Sequence, residues 1–314
     1  MSALFRLGLV GGGRMGQTHI RALADSSTVQ IIAVAEPHAA TAEKLRAAGL
    51  AVYPTLSAML EAGGLDGVII TTPTDQHLAV IRQVATAGLP MLCEKPAGLN
   101  PAQAHEAAEI SRTKGTLLQV GYWRRFIPDL QDLRERIASR AVGTLHVVIC
   151  SQWDEAPPAS AFRSHSGGIF VDMGVHEIDE IRWLTGQEVV GVTALVYPTV
   201  EDEDAINDVD SAQALLTLSG GSAAVMSLGR FHPGGDLVAV ELFGSRDHVR
   251  VAVLQPPDSE GPQMEALRRQ AEAFARCALG GRSECATIED AEAALIAAQL
   301  LSDAAGLYVL GEVK

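Results

Sequence analysis

Leu4-Phe5-Arg6-Leu7-Gly8-Leu9-Val10-Gly11-Gly12-Gly13-Arg14-Met15-Gly16 is the stretch that decides the fold. Leu4 to Val10 reads as a short apolar strand, and the glycines follow it at once. A helical pattern then runs on through Ile20 and Leu23. A strand, then G-x-G-x-x-G, then a helix is the context in which this motif marks a dinucleotide site. Gly11 permits the tight turn, Gly13 lets a pyrophosphate approach the backbone, and Gly16 lets helix and strand pack closely. Arg14 and Met15, inside the motif, join them as cofactor-binding candidates.

A second strand, Val29 to Ala35, ends in Glu36, which follows Gly16 by 20 residues. The fingerprint expects a ribose-binding carboxylate there. Glu36 should accept from the ribose hydroxyls and repel a 2′-phosphate, so NAD is expected over NADP. Helices and apolar strands keep alternating: helix 39–48, strand 51–53, helix 56–62, strand 67–72, helix 75–87, strand 91–93, helix 101–114 and strand 116–121. Such βαβ units imply a doubly wound parallel sheet with helices on both faces. Ligands in such sheets sit at the carboxyl ends of the strands. Thr72-Pro73 and Glu94-Lys95-Pro96 fall at those ends, and His77 opens the helix after the first of them. Thr72, Pro73, His77, Glu94 and Lys95 are therefore candidates for the cofactor side. His77 reads equally as a polar helix-start residue. A Lys at such a strand end would stabilise an alkoxide and lower the pKa of a nearby His.

Further along, Gly168 to Leu184 reads as a helix opening after a Gly-Gly pair. Ile169, Met173, Ile178, Ile181 and Leu184 fall near one stripe. Asp172 and His176 are four residues apart, so one helix face would carry both. A carboxylate under an imidazole can hold the ring and tune it as an acid or base. An ordinary surface pair is the other reading of those two residues. Residues 154–166, with two prolines, read as a loop, and Arg163 and His165 read as solvated loop residues.

The chain has 314 residues, enough for two domains. It is 47% hydrophobic and 20% charged, which is usual for a globular protein, and its formal charge of −14 argues against nucleic acid or an anionic membrane as partner. No apolar run approaches the about 20 residues of a membrane helix. Cys93, Cys150, Cys277 and Cys285 are scattered and lack zinc spacing, so no metal is expected and reduced thiols in the cytoplasm are.

Taken together, the chain resembles the glucose–fructose oxidoreductase, inositol dehydrogenase and MocA (Gfo/Idh/MocA) family. The residues that carry the likeness are Gly11 to Gly16, Cys93-Glu94-Lys95-Pro96, Gly121-Tyr122-Trp123-Arg124-Arg125-Phe126, and Gly167 to Asp179, in that order. The likeness covers nearly the whole chain and is nearest the inositol dehydrogenase branch. It implies an N-terminal Rossmann domain, here 1–121, and a C-terminal α/β domain, here 122–314, with a large open and mostly antiparallel sheet. It also implies oxidation of a ring hydroxyl of a sugar or cyclitol with NAD(P). Lys95, Asp172 and His176 would be the catalytic group, with His176 the base. The same residues, with Arg124, Arg125, Trp153 and His232, would bind the substrate. In the inositol branch a Tyr lines the pocket after the hairpin, whereas this chain has Arg230-Phe231-His232-Pro233-Gly234-Gly235-Asp236. The stretch 252–262 is also shorter than the branch pattern.

Strands 188–197, 210–218 and 223–230 are apolar on both faces, and Ser219 to Ser222 suggests a two-residue hairpin turn. Helices can cover one face; a second copy would cover the other, giving a homodimer or homotetramer through this sheet. Two other functions stay open: a keto-sugar or aldose reductase of the same family, and a non-catalytic NAD-binding regulatory protein. The last should lack one of Lys95, Asp172 and His176, and all three are present.

Overall fold

The computed structural model describes residues 4–198, 208–256 and 260–306. They fall into two compact units, the first drawn from 4–98, 102–123 and 264–289, the second from 99–101, 124–198, 208–256, 260–263 and 290–306. In chain order the first stretch runs β1 (Phe5–Val10), α1 (Arg14–Leu23), β2 (Val29–Ala35), α2 (Ala39–Ala47), β3 (Ala51–Tyr53), α3 (Leu56–Ala62), β4 (Gly67–Ile70), α4 (His77–Thr86), β5 (Met91–Cys93), α5 (Pro101–Lys114) and β6 (Leu118–Val120).

The sheet order is β3-β2-β1-β4-β5-β6, all parallel. This is the doubly wound order with its reversal between β1 and β4, where a crevice opens at the carboxyl ends. The strands are near-continuous apolar runs because both sheet faces are covered; Val68, Ile69 and Ile70 are fully buried. Residues far beyond the boundary expected at 121 also build this unit. Helix α9 (Glu260–Ala278) brings Phe274 edge-on to Phe5 at 6.1 Å, and β13 (Ala286–Thr287) adds antiparallel to β6.

The second unit contains α6 (Pro128–Ala138), β7 (Leu145–Trp153), α7 (Ser160–Arg163), α8 (Val175–Thr185), β8 (Val189–Pro198), β9 (Val209–Leu218), β10 (Ala223–Gly229), β11 (Leu237–Gly244) and β12 (His248–Leu254), with most of α10 (Ile288–Ala304). Its sheet runs β12-β11-β7-β10-β9-β8. Every pairing is antiparallel except β7 with β10. One face buries Val148, Cys150, Ala212, Ala214, Leu216, Ala224, Met226 and Leu228. Helices α6 and α8 bury Leu130, Leu133, Ile178, Ile181 and Leu184 in the same unit. Leu195, Tyr197, Leu215 and Phe243 point the other way and stay exposed.

Two local features depart from the sequence reading. The β9–β10 reversal uses three residues, Ser219, Gly220 and Gly221, closed by Leu218 N donating to Ser222 O at 3.0 Å. Gly221 has φ 87°, the left-handed residue that such a loop requires. The helix expected from 168 begins as a π-turn over Phe170–Gly174, and α8 follows it. Part of the stretch 252–262 lies outside the described residues.

Candidate active site

In the first unit, Gly11 sits at φ 95°, and a Cβ there would lie 2.9 Å from Thr71 O. A Cβ on Gly16 would come within 2.1 Å of Gly11 O. Both positions therefore exclude side chains for packing reasons. Gly13 differs: nothing lies within 4 Å of a Cβ built on it, so space opens beside the start of α1. Helix N-termini attract anions, and this cradle fits the pyrophosphate of a dinucleotide. Arg14 is exposed and Met15 half-buried on the first turn of α1.

Glu36, at the end of β2, is 8% exposed. Its Oε2 accepts from Gly12 N at 2.7 Å and its Oε1 from His38 N at 2.7 Å. The carboxylate is thus tied to the glycine loop itself. In the dinucleotide fingerprint a carboxylate at this position meets the ribose, and a negative charge there opposes a 2′-phosphate.

Lys95 is half-buried just past β5, followed by a cis Pro96. Two buried histidines frame it along the chain. His19, on α1, places Nε2 2.6 Å from Glu94 Oε1, and Glu94 Oε2 accepts from Lys95 N at 3.3 Å. His77, at the start of α4, places Nδ1 2.8 Å from Pro96 O and Nε2 2.9 Å from Thr72 O. Burial pulls the His77 imidazole below its ordinary pKa, and a neutral ring donates to only one of two carbonyls. His77 thereby ties the end of β4 to the segment after β5. Pro73 between these elements is exposed.

In the second unit Asp172 lies on the π-turn and His176 on the first turn of α8. The wider turn alters the angular offset of the two side chains from that of a continuous α-helix. Asp172 Oδ2 accepts from Arg230 Nη1 at 2.9 Å. His176 is 8% exposed. Arg124 and Arg125 meet acids of α8. Arg124 donates to Glu177 Oε1 at 2.5 Å and to Gln152 Oε1 at 2.6 Å. Arg125 grips Asp179 with two bonds, at 2.5 and 3.0 Å, and lies 3.1 Å from Asp290. Burial raises the Asp179 carboxyl, and it holds Glu180 at about 7 although Arg124 opposes the shift.

Trp153 lies across Gly229, where a Cβ would strike the indole at 2.1 Å, and its Nε1 donates to Ser227 Oγ at 3.0 Å. His232 turns back on its own loop, with Nδ1 2.5 Å from Gly235 O. Arg163, read as a solvated loop residue, is buried and donates to Asp208 at 2.7 Å and Asp210 at 3.0 Å. Sequence reasoning also missed Arg230, Asp154, His19 and Glu180. The pairing of Gly229 with Trp153 was the signal for the first two, and it is visible only once the sheet order is known.

Among the described residues no helix is long and apolar enough to cross a membrane. Residues 5–122 match the family described as the GFO_IDH_MocA oxidoreductase family, NAD-binding Rossmann fold, and residues 130–250 match its C-terminal domain. The chain is 46% identical over 299 residues to the rhizopine catabolism protein MocA of Rhizobium meliloti, covering 95% of this chain and 94% of that protein. It is 32% identical over 257 residues to an inositol 2-dehydrogenase of Rhizobium meliloti strain 1021, covering 81% and 78%. The solved scyllo-inositol dehydrogenase of Lactobacillus casei, with NAD(H) and scyllo-inositol bound, superposes with a TM-score of 0.86 at 25% identity, covering 97% of each chain.

Proposed function

The chain belongs to the Gfo/Idh/MocA family of oxidoreductases, and on that premise we propose that it oxidises a ring hydroxyl of a cyclitol or sugar with NAD. The observation that carries the reading is the open cradle at Gly13, with the Glu36 carboxylate bonded to Gly12 N next to it. An inositol dehydrogenase among the relatives and a neighbour with a bound inositol support the substrate class. Gly11, Gly13, Arg14, Met15, Gly16, Glu36, Thr72, Pro73, His77 and Glu94 form the cofactor side of this reading.

NAD, when bound, supplies the hydride acceptor. The chain supplies the rest. His176 takes the proton of the reacting hydroxyl on its imidazole, a contribution worth about 100- to 10,000-fold. Lys95 is the cation of this reading, and a positive charge favours an alkoxide over the hydroxyl. Asp172 accepts from a neighbouring hydroxyl and orients the base. Trp153 and His232 border the substrate, and Arg124 and Arg125 act on it through the acids of α8. The exposed apolar face of Leu195, Tyr197 and Leu215 is where a second copy of the chain docks, giving a homodimer or homotetramer.

The test is cofactor reduction against a panel of inositols and aldoses, followed by the absorbance of the reduced nicotinamide. Turnover with NAD on one polyol class, abolished in His176→Ala, is the expected result. Binding of NAD with no turnover of any polyol, in either direction, overturns the proposal.

A further inference from the structure

Arg230 is a fully buried guanidinium at the end of β10. The parallel pairing of Gly229 with Trp153 sets it beside Asp154, the next residue after β7. Its Nη1 donates to Asp172 Oδ2 at 2.9 Å and lies 3.9 Å from Asp154 Oδ2. Its Nη2 is 3.1 Å from Asp208 Oδ2, and Asp208 is held in turn by Arg163 at 2.7 Å. One buried cation therefore sits under two carboxylates that retain access to solvent, Asp172 with its side chain 13% exposed and Asp154 with 27%.

A buried ion group of this kind is costly unless each charge is met. Asp208 is fully buried, so its charge is matched by Arg163 and Arg230. Asp154 and Asp172 both lie against the Nη1 of Arg230, and they repel each other. Burial and the Asp172 charge both raise the Asp154 carboxyl, and Arg230 opposes them. The Asp154 carboxylate, with its side chain 27% exposed, has more lone pairs than one guanidinium contact uses. Such lone pairs suit adjacent hydroxyls of one polyol ring.

We infer that Arg230 is the positioning residue of the site: it fixes Asp154 and Asp172 as a pair of hydroxyl acceptors over one counter-ion, and Asp154 contacts the substrate. This inference rests on the polyol dehydrogenase reading for its substrate and on the geometry alone for the pairing. Among the described residues, Arg230 from the end of β10 meets Asp172 directly, Asp154 from the end of β7 lies on the same guanidinium, and Asp208 before β9 reaches it through Arg230. Asp236 faces the Asp154 segment through Glu155 N at 2.8 Å.

The pairing is tested by carboxyl-carbon NMR of the full-length protein labelled at aspartate, titrated with pH, with Asp154→Asn and Asp172→Asn assigning the two signals. In Arg230→Met the midpoints of both signals should rise by about 1 to 3 pH units. Arg230→Lys, which keeps the charge, should restore most of that change. Asp154→Asn, at a partly exposed position, keeps the fold if Arg230→Met does not. It should lower the Asp172 midpoint and raise the KM for the polyol about ten- to hundredfold, leaving the KM for NAD unchanged. An Asp172 midpoint unmoved in Asp154→Asn, together with an unmoved polyol KM, overturns the inference. Wild-type protein that turns over no polyol overturns the dehydrogenase reading instead, and the titrations still decide whether the pair exists.

Discussion

Glu36 Oε2 lies 2.7 Å from Gly12 N, so the acid at the end of β2 is bonded to the loop that cradles the cofactor. On the proposed reading the carboxylate serves loop and ribose together. Removing its charge weakens both and admits a 2′-phosphate. Glu36→Gln should raise the KM for NAD by about 10- to 100-fold, the loss of hydrogen bonds to a charged group, and shift the preference toward NADP. Initial rates with the two cofactors check this. An unchanged ratio of kcat/KM values means that Glu36 does not face the ribose.

Gly13 and Gly16 separate binding from folding. A methyl at Gly16 meets a backbone carbonyl at 2.1 Å, which neither strand nor helix can yield cheaply. Gly16→Ala should cost about 1–3 kcal/mol in denaturant unfolding as well as NAD affinity. A methyl at Gly13 meets nothing within 4 Å. Gly13→Ala should therefore unfold like the wild type and still lose NAD binding, because the methyl occupies the pyrophosphate's place. Equal NAD affinity in Gly13→Ala and wild type would show that this cradle is not the cofactor site.

Most of the fold was legible because its signals are local. The Gly11 to Gly16 motif, the apolar runs of β1, β2 and β4, and the glycine and proline breaks fix the alternating elements without tertiary knowledge. What escaped depends on contacts distant in sequence. Phe274 rejoins the first unit through Phe5, and no local pattern announces that. Arg124 and Arg125 looked like ligand-facing cations in a family motif. Their guanidiniums meet Glu177 and Asp179, acids that an isolated helix would turn to solvent. Arg163 likewise looked solvated until Asp208 and Asp210 were placed beside it. The π-turn at Asp172 has no sequence signature beyond the Gly167-Gly168 pair, whose φ values are 86° and 83°.

Glu180 gives the folded protein a pH dependence with a defined sign. It is 2% exposed, and burial outweighs Arg124 at 3.8 Å to hold its pKa at about 7 against an ordinary 4.5. Between those values the folded chain binds a proton that the unfolded chain has released, so stability falls as pH rises through the window. The loss should be on the order of 1–3 kcal/mol. Glu180→Gln should remove it, so that the variant exceeds the wild type above pH 7 and matches it near pH 4. Urea midpoints across pH measure the difference. The carboxyl of Asp154, also raised by burial, contributes equally to both proteins and cancels. Parallel profiles for wild type and variant would place the Glu180 pKa in the ordinary range.

The sheet face that carries Leu195 and Leu215 bears on assembly. These side chains are 67% and 53% exposed on neighbouring strands, with Tyr197 at 62% on the same face. Exposed apolar area of this kind is buried favourably at about 25 cal/mol per Å², and a flat sheet surface offers a copy of itself a complementary partner. Leu195→Lys with Leu215→Lys places charges on β8 and β9 without touching the opposite, helix-covered face that buries Ala212, Ala214 and Leu216. Sedimentation should then show a monomer where the wild type is a dimer or tetramer, while NAD affinity is retained in the first unit. A wild type that sediments as a monomer refutes the assembly, and a double variant that stays assembled moves the interface to another face.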